Sequence, residues 1–227
     1  MILTRIIQLE CAPTEPPPIC CLPKQYEAFL FLSSGAVDVG TNYGFGYSNG
    51  TVAIAFDGTR QLTYIHAKTD NFLSLYPIPI PEDYLNIIDY KNNVQWRVYS
   101  DGSCDTLDVG LPLFKECIPG NATLLSRGRI GNSEQEVATY LFRQRIYLDP
   151  DEITVTVRMS DSTPGECIPV RGTVSSAYVF DSNKNVDIAV YDVLDFTPGI
   201  RNPDVFNKPS QCNNSTVLHE KNRLTMT

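Results

Sequence analysis

The stretch Asn185–Cys212, NVDIAVYDVLDFTPGIRNPDVFNKPSQC, holds a strand pattern, a turn, a helix start and a cysteine, in that order. Val186, Ile188 and Val190 alternate with positions that would point to the opposite side of an extended chain. Alternation with a period of two is typical of a strand with one buried face. The stretch therefore predicts a strand of a sheet that packs on one side.

The second half of this stretch predicts how the chain leaves that strand. Thr197-Pro198-Gly199 has the chemistry of a turn. Asn202 is a good helix cap, and Pro203 costs nothing at a first helical position because its missing N–H would be unpaired there. Pro209 limits the length of the helix. We expect Cys212 to tie this end to a distant part of the chain.

Composition sets the size and excludes one class of partner. The chain has 227 residues with 42% hydrophobic residues, which is enough for one domain with a packed core. Only 19% of the residues are charged and the formal net charge is -8, with a pI of about 4.7. Such a chain lacks the basic surface that phosphate backbones and anionic lipid surfaces attract. We predict that no nucleic acid is a partner.

Cysteines and glycosylation sequences indicate the compartment. The seven cysteines are residues 11, 20, 21, 104, 117, 167 and 212. They lack the paired CxxC spacing of zinc sites, although reduced thiols in a cytosolic core remain an alternative. Acceptor tripeptides for N-glycosylation begin in turn-like surroundings at Asn49, Asn121, Asn213 and Asn214. Together these features predict a disulfide-bonded secretory protein in which the odd cysteine is free, modified or paired between chains.

The N-terminal region has no strong structural pattern. We find no apolar run long enough to span a membrane. The first residues, MILTRIIQLECA, are too short an apolar stretch for a full signal peptide, so we interpret residues 1–20 as a signal remnant and a proline-rich arm. The prolines between residues 11 and 23 predict an extended tether closed by cysteines, with a ligand for aromatic grooves as the alternative.

Hairpins follow this arm. QYEAFLFL from Gln25 predicts a first strand, and the glycine-rich residues 33–50 predict a flexible connection. Those glycines lack the lysine of a phosphate-binding loop. Alternating runs meet at Asp57-Gly58 and again at Lys91-Asn92-Asn93, so each predicts a hairpin. Trp96 falls within the second hairpin and is either a core residue or part of a cavity wall.

The rest of the chain completes an all-β pattern. Residues 105–133 are rich in turns, and residues 137–148 fit a helix and a strand equally, because a capping box precedes β-branched residues. Ile153–Met159 and Pro169–Phe180 alternate as strands. About nine or ten strands with hairpin turns predict an antiparallel β sandwich or barrel with minor helix.

Catalytic and metal signatures are weak. The chain has two histidines, His66 in a strand pattern and His219 in a polar tail, and it has no hydrolase motif. We interpret His66 as a solvated strand residue. The acidic groups at 149–152 and 161–166 offer oxygen ligands for Ca²⁺ without EF-hand spacing, and solvated loops explain them more simply. A pair of glycosidase carboxylates that converge from distant strands stays open, but no pair is marked.

The opening stretch, in its order of strand, Pro-Gly turn, IRNPDVF, proline and cysteine, resembles the end of the ependymin and ependymin-related proteins. Five further segments are similar to that family in the same order. They are Cys21-Leu22-Pro23, Ala55-Phe56-Asp57-Gly58, Tyr90-Lys91, Ile118-Pro119-Gly120-Asn121-Ala122-Thr123 and Glu166-Cys167-Ile168-Pro169-Val170. The resemblance covers about residues 21–212 and identifies a single domain there, followed by a polar tail at 213–227.

This resemblance implies a secreted or lysosomal glycoprotein, and the lack of a marked catalytic group favours a non-enzymatic binding or structural role. It also implies curved antiparallel sheets forming a half-barrel or sandwich akin to bacterial lipoprotein-carrier folds, with an apolar pocket, a homodimer and a strand near Val137. Carried over by position, Cys21 would pair with Cys167 and Cys104 with Cys212. Cys117 would then pair with Cys20 or Cys11.

The leading functional hypothesis is therefore a carrier of a hydrophobic, lipid-like ligand. Six apolar strand residues are candidate pocket walls, with ordinary core packing as the alternative: Val52, Ile54, Phe56, Ile88, Trp96 and Val98. The second hypothesis is a Ca²⁺-responsive extracellular matrix or adhesion protein that acts as a dimer. A β-sheet hydrolase is the third and weaker hypothesis.

Overall fold

We analysed a computed structural model of the chain. It describes residues 18–38, 45–74, 78–110, 113, 116–130, 135–145, 150–180, 183–213 and 217–218. Residues 1–17, with Cys11 and most of the expected N-terminal arm, lie outside the described residues, as do Asn214 and His219. In the described ranges, no helix has the length and apolar character that a membrane span requires.

Extended structure dominates. The strands of the described residues are β1 Cys20–Cys21, β2 Gln25–Asp38, β3 Phe45–Asp57, β4 Leu62–Leu73, β5 Ile80–Asp89, β6 Val94–Tyr99, β7 Cys104–Asp108, β8 Cys117–Ile118, β9 Thr123–Arg129, β10 Glu136–Arg145, β11 Pro150–Met159, β12 Cys167–Phe180, β13 Asn183–Pro198 and β14 Val217–Leu218. Two short 3₁₀ helices are Pro203–Phe206 and Ser210–Cys212. The prediction of a mainly β fold is confirmed.

Twelve of these strands form one sheet in the order β14-β7-β6-β5-β4-β3-β2-β13-β12-β11-β10-β9. All neighbours are antiparallel except β14 and β7, and the sheet does not close into a barrel. The ambiguous segment after residue 136 is strand β10, as the family resemblance implied. The prediction of a flexible connection over residues 33–50 was wrong in extent, because Gly35, Gly46 and Gly50 lie within paired strands.

The sheet curves around one of its faces, which we call the inner face. Leu22 packs against a core cluster on β2–β4 that includes Tyr26 and Val52, and also against a second cluster on β10–β12 that includes Tyr140. Leu22 therefore lies between the two clusters on this face.

A bridging segment, residues 109–122, connects β7 near one edge of the sheet to β9 at the other. Its described residues pack on the inner face: Leu113 lies against the first core cluster and Ile118 is buried in the second. Strand β8 of this segment pairs with β1 in a separate two-stranded sheet. The described part of the bridging segment thus covers the inner face at the end of β2 that carries Tyr26.

The opposite, outer face carries the C-terminal segment, residues 199–213. As predicted, Gly199 turns the chain with φ +87°, and Asn202 caps the first 3₁₀ helix by accepting from the Asp204 amide at 3.1 Å. Phe206 is buried, and Arg60 lies 5.0 Å from its ring centre. The strand before this turn runs through Pro198, because β13 remains paired with β2 to that point.

Three disulfides fasten the bridging segment and the C-terminal segment to the sheet. The expected bond between Cys104 and Cys212 is present and fastens the C-terminal segment to β7. The pairing of Cys21 with Cys167 was wrong, because Cys20 bonds Cys167 and Cys21 bonds Cys117. The reason is the strand geometry of β1, whose adjacent side chains point in opposite directions. Cys21 faces Cys117 across the β1–β8 pair, with Cα atoms 3.9 Å apart, while Cys20 points into the core.

The expectation that Cys117 would bond Cys20 or Cys11 was wrong for the same reason. All six cysteines that we assigned to disulfides are bonded, but the two adjacent ones have exchanged partners. The bonds link residues 147, 96 and 108 positions apart. They therefore hold the inner bridging segment and the outer C-terminal segment against one sheet.

Candidate functional site

The register of the sheet separates the six predicted wall residues. Paired residues of neighbouring strands share a face, and successive residues alternate. Ile88 is opposite Gln95, and Ile87 is opposite Trp96. Ile88 therefore points to the inner face and Trp96 to the outer face, so the six residues cannot line one cavity.

Their positions resemble core packing more than a pocket wall. Val52 and Phe56 are buried in the inner-face core, and Ile54 packs against it. Trp96 and Val98 are on the outer face, where Lys208 of the C-terminal segment lies 5.9 Å from the tryptophan ring centre. The alternation of apolar residues identified the strands correctly, but it did not say which face of each strand meets a cavity.

The inner face has a cavity that the sequence reasoning missed, which we call the mouth cavity. It has a volume of about 330 Å³ and lies toward the other end of β2, where β2 and β3 and β4 and β5 approach their connections. The residues that line it are Ser34, Ala36, Gly46, Tyr47, Ser48, Asn71, Leu73, Ile80 and Glu82. Several have no side chain or a very short one, so the inner face is unfilled there. The signal in the sequence was this run of small residues, which we interpreted as a loop.

The mouth cavity combines apolar and uncharged polar groups. Leu73 is 42% exposed and Ile80 is 38% exposed, although both point to the inner face. The hydroxyl oxygens of Ser34 and Ser48 are hydrogen-bonded across β2 and β3 at 3.1 Å. Leu32 and Tyr191 continue the inner face from this region into the core. The arrangement offers an apolar contact surface next to a strip of hydroxyl and amide groups.

A buried carboxyl group lies deeper on the inner face. Glu116 of the bridging segment accepts a hydrogen bond of 2.6 Å from the Tyr26 hydroxyl. Burial raises the pKa of Glu116 to about 7, although the hydrogen bond from Tyr26 acts to lower it. Burial also raises the pKa of Tyr26, and the charge of Glu116 adds to that effect. Sequence reasoning gave no hint of this pair, because Glu116 lies in a segment without periodicity.

A second cavity, of about 360 Å³, lies on the outer face beneath the C-terminal segment. Phe29, Tyr64 and Val205 contribute apolar groups to it. At its border Arg201 donates to Glu27 through both its backbone and its guanidinium. This cavity therefore has an apolar lining with an ion pair at its border.

The outer face also presents an exposed apolar patch, which we call the outer patch. It lies beyond the C-terminal segment, on β2, β3, β4 and β13, where neighbouring side chains share the face. Its residues are Val37, Phe45, Tyr47, Phe72, Val186 and Ile188, each at least 36% exposed. The rings of Tyr47 and Phe72 stack with centres 4.8 Å apart. The outer patch is therefore a contiguous group of apolar side chains exposed to solvent.

The histidine and the acidic residues have structural surroundings. His66 is on the outer face, where its Nε2 lies 2.8 Å from Oδ1 of Asp83; Lys68 contacts the other carboxylate oxygen, Oδ2, at 3.1 Å. Asp151 and Glu152, which we expected in a loop, lie in β11; Asp151 is buried. Among the described residues, no three histidine, cysteine or acidic side chains are placed to hold a metal ion.

The glycosylation candidates differ in their surroundings. Asn121 is exposed in the turn before β9, and Asn213 is exposed at the end of the C-terminal segment. The expectation of turn-like surroundings was wrong for Asn49, which is in the middle of β3 and donates to the Tyr47 hydroxyl. Two of the candidate acceptors are thus accessible, while the third lies within the sheet.

Comparisons with known proteins support a family assignment. The Ependymin family matches residues 81–212, which is more than half of the chain. No curated protein sequence matches it. Two solved structures are similar over 78% of this chain and 94% of their own: MucB in complex with MucA(peri), at 10% identity, and the MucA/MucB complex of Pseudomonas aeruginosa, at 9%. Both have a TM-score of 0.15, which is too low to support a conclusion about this chain. The match over β5–β13, with the second hairpin and the Cys104–Cys212 bond inside it, shows that the chain belongs to the ependymin family.

Proposed function

We propose that this protein is a non-catalytic, secreted carrier that holds a lipid-like ligand on the inner face of its sheet. The observation that carries the proposal is the mouth cavity, in which Leu73 and Ile80 point to the inner face yet remain exposed to solvent. Burying such side chains against a hydrocarbon chain is favourable by about 25 cal/mol for each Å² removed from water. A chain would enter beside Leu73 and Ile80, whose side chains are exposed.

Secretion and glycosylation are part of the proposal. Disulfides that link distant parts of the chain are stable in oxidising compartments and rare in the cytosol. Membership of the ependymin family agrees with an extracellular location. We infer glycans at Asn121 and at Asn213 or Asn214.

Native mass spectrometry of protein made in a eukaryotic secretory pathway tests the carrier function. We expect a co-purified lipid in the wild-type protein and its loss in Leu73→Asp, because a carboxylate in the mouth cavity opposes hydrocarbon. Leu125→Asp is the matched control, since Leu125 is 52% exposed on the edge strand β9, away from the cavity. A wild-type protein without lipid, or a Leu73→Asp protein that keeps it, would contradict the proposal.

We also infer a homodimer in which a second copy covers the outer patch. Phe45, Tyr47 and Phe72 are the aromatic residues of that patch, and aromatic residues are enriched in the centres of protein interfaces. Sedimentation should show a dimer for the wild type and a monomer for Phe45→Asp. If association instead requires added Ca²⁺, the alternative of a Ca²⁺-responsive matrix or adhesion protein is favoured.

A further inference from the structure

The mouth cavity has a polar side that indicates which lipid head group it would accept. Ser34, Ser48 and Asn71 are neighbours on three adjacent inner-face strands, because Ser48 is paired with both of the others. Glu82 lines the same cavity from the fourth strand, β5. The inner-face side chains of the lining offer two serine hydroxyls, one amide and one carboxylate, while the Tyr47 side chain lies on the outer face; none of the lining residues is a lysine or an arginine.

We propose that the mouth cavity binds an uncharged, hydroxyl-bearing lipid head group and discriminates against an anionic one. The proposal rests on the carrier function and names the class of its ligand. Hydroxyl groups of the ligand would donate to the Glu82 carboxylate and exchange hydrogen bonds with Ser34, Ser48 and Asn71. A phosphate or carboxylate head group would instead meet the negative charge of Glu82 without a cation in the lining to offset it.

Two cations on the neighbouring strands β4 and β6 are engaged by other groups. Lys68 contacts Asp83 on the outer face. Arg97 is on the inner face, but its Nε donates to Asn86 at 2.9 Å and its guanidinium lies 5.4 Å from the ring centre of Tyr84. Arg97 and Glu82 both line a neighbouring cavity. If the mouth cavity bound an anion, the Arg97 side chain would have to rotate toward it.

The size of the cavity agrees with a head group more than a whole lipid. A volume of about 330 Å³ is at the lower end of the range for small-molecule sites. The acyl chain would then follow Leu73 and Ile80 along the inner face, outside the polar strip. This places the head group and the chain on adjacent surfaces of the same face.

Two lipids with the same palmitoyl chain provide the test: 1-palmitoylglycerol, with a diol head group, and its 3-phosphate. Binding to the full-length disulfide-bonded protein is measured by displacement of a fluorescent fatty alcohol. We expect the phosphate to bind at least about tenfold more weakly, which corresponds to roughly 1.4 kcal/mol. Glu82→Gln should reduce that ratio, and Ser34→Ala with Ser48→Ala should weaken binding of the diol lipid more than that of the phosphate. Glu136→Gln, an exposed carboxylate on β10, is the matched control.

The outcomes separate this proposal from the carrier function. If neither lipid binds and no fluorescent alcohol is retained, the carrier function itself fails. If both bind equally and Glu82→Gln changes neither affinity, the carrier function stands and the head-group proposal is overturned. Tighter binding of the phosphate that is lost in Arg97→Gln would also overturn it and would assign the head-group role to Arg97.

Discussion

Replacing Glu116 with glutamine should make the protein more stable at pH 8 and remove much of the pH dependence of its stability between pH 5 and 8. Glutamine has nearly the same shape, and its carbonyl oxygen can still accept the hydrogen bond from Tyr26. It lacks the negative charge that burial opposes. The variant therefore imitates the protonated form of the carboxyl group at every pH.

The magnitude follows from the two pKa values of this carboxyl group. Burial raises the pKa of Glu116 from the model-compound value of 4.5 to about 7. A carboxyl group whose pKa is higher in the folded state binds its proton more tightly there, so stability is fully present below the unfolded pKa and falls as pH rises through the folded pKa. A difference of about 2.5 units corresponds to at most roughly 3.4 kcal/mol. Because the side chain keeps some contact with solvent, we expect a loss of about 2 kcal/mol.

Other carboxyl groups determine how stability falls at acidic pH. Burial acts to raise the pKa of Asp57, but hydrogen bonds from Arg60 and Gln25 outweigh it and lower the pKa overall. At Glu27 burial likewise acts to raise the pKa, but the hydrogen bonds and the charge of Arg201 outweigh it and lower the pKa overall. Groups of this kind stabilise the fold above their unfolded pKa and lose that effect as the solution becomes more acidic. Maximum stability is therefore expected near pH 5.

Urea unfolding at pH 5 and pH 8 measures the effect. The wild-type free energy of unfolding should fall by about 2 kcal/mol between the two values, or roughly 4 to 8 °C in melting temperature for a chain of this length. The free energy of unfolding of Glu116→Gln should fall much less between pH 5 and pH 8. Equal losses in the two proteins would refute the assignment of this pH dependence to the Glu116 carboxyl group.

Two further substitutions test the packing of the sheet and its covalent ties. Gly50→Ala should destabilise the protein by about 2 kcal/mol or more in urea unfolding, because an added Cβ would lie 2.0 Å from the Lys68 carbonyl oxygen. Gly128→Ala is the control, since no atom lies within 4 Å of the Cβ that it adds. Equal effects of the two alanines would contradict this account. The double variant Cys104→Ser, Cys212→Ser removes a disulfide between residues 108 positions apart. Its free energy of unfolding should fall by about 4 to 5 kcal/mol if the bond acts mainly by restricting the unfolded chain. A loss below about 1 kcal/mol would show that the C-terminal segment docks without the bond.

Local sequence signals predicted the strands and turns well because they arise from nearby residues. Asp57 accepts from the amides of Thr59 and Arg60, so the turn at Asp57-Gly58 is specified within a few positions. Asn202 and Pro203 specify the start of the 3₁₀ helix in the same way. Both features could be predicted from the order of residues alone.

The candidate site could not be predicted in this way because it depends on strand register and on distant segments. Whether Ile88 or Ile87 points inward is decided by its partner on β6, and a shift of one residue would reverse it. Cys20 and Cys21 are adjacent residues of the same type, so the sequence does not tell their disulfide partners apart. The pairing of β1 with β8 does. The polar strip of the mouth cavity combines residues from four strands that no single motif contains.

Photo-crosslinking with a palmitoylglycerol that carries a diazirine on its acyl chain tests the central claim most directly. The mouth cavity and the outer-face cavity are on opposite sides of the sheet, so peptide mapping distinguishes them. We predict labelled peptides that contain Leu73 and Ile80 and a loss of labelling in Leu73→Asp. Labelling confined to Tyr64 and Val205, beneath the C-terminal segment, would contradict it.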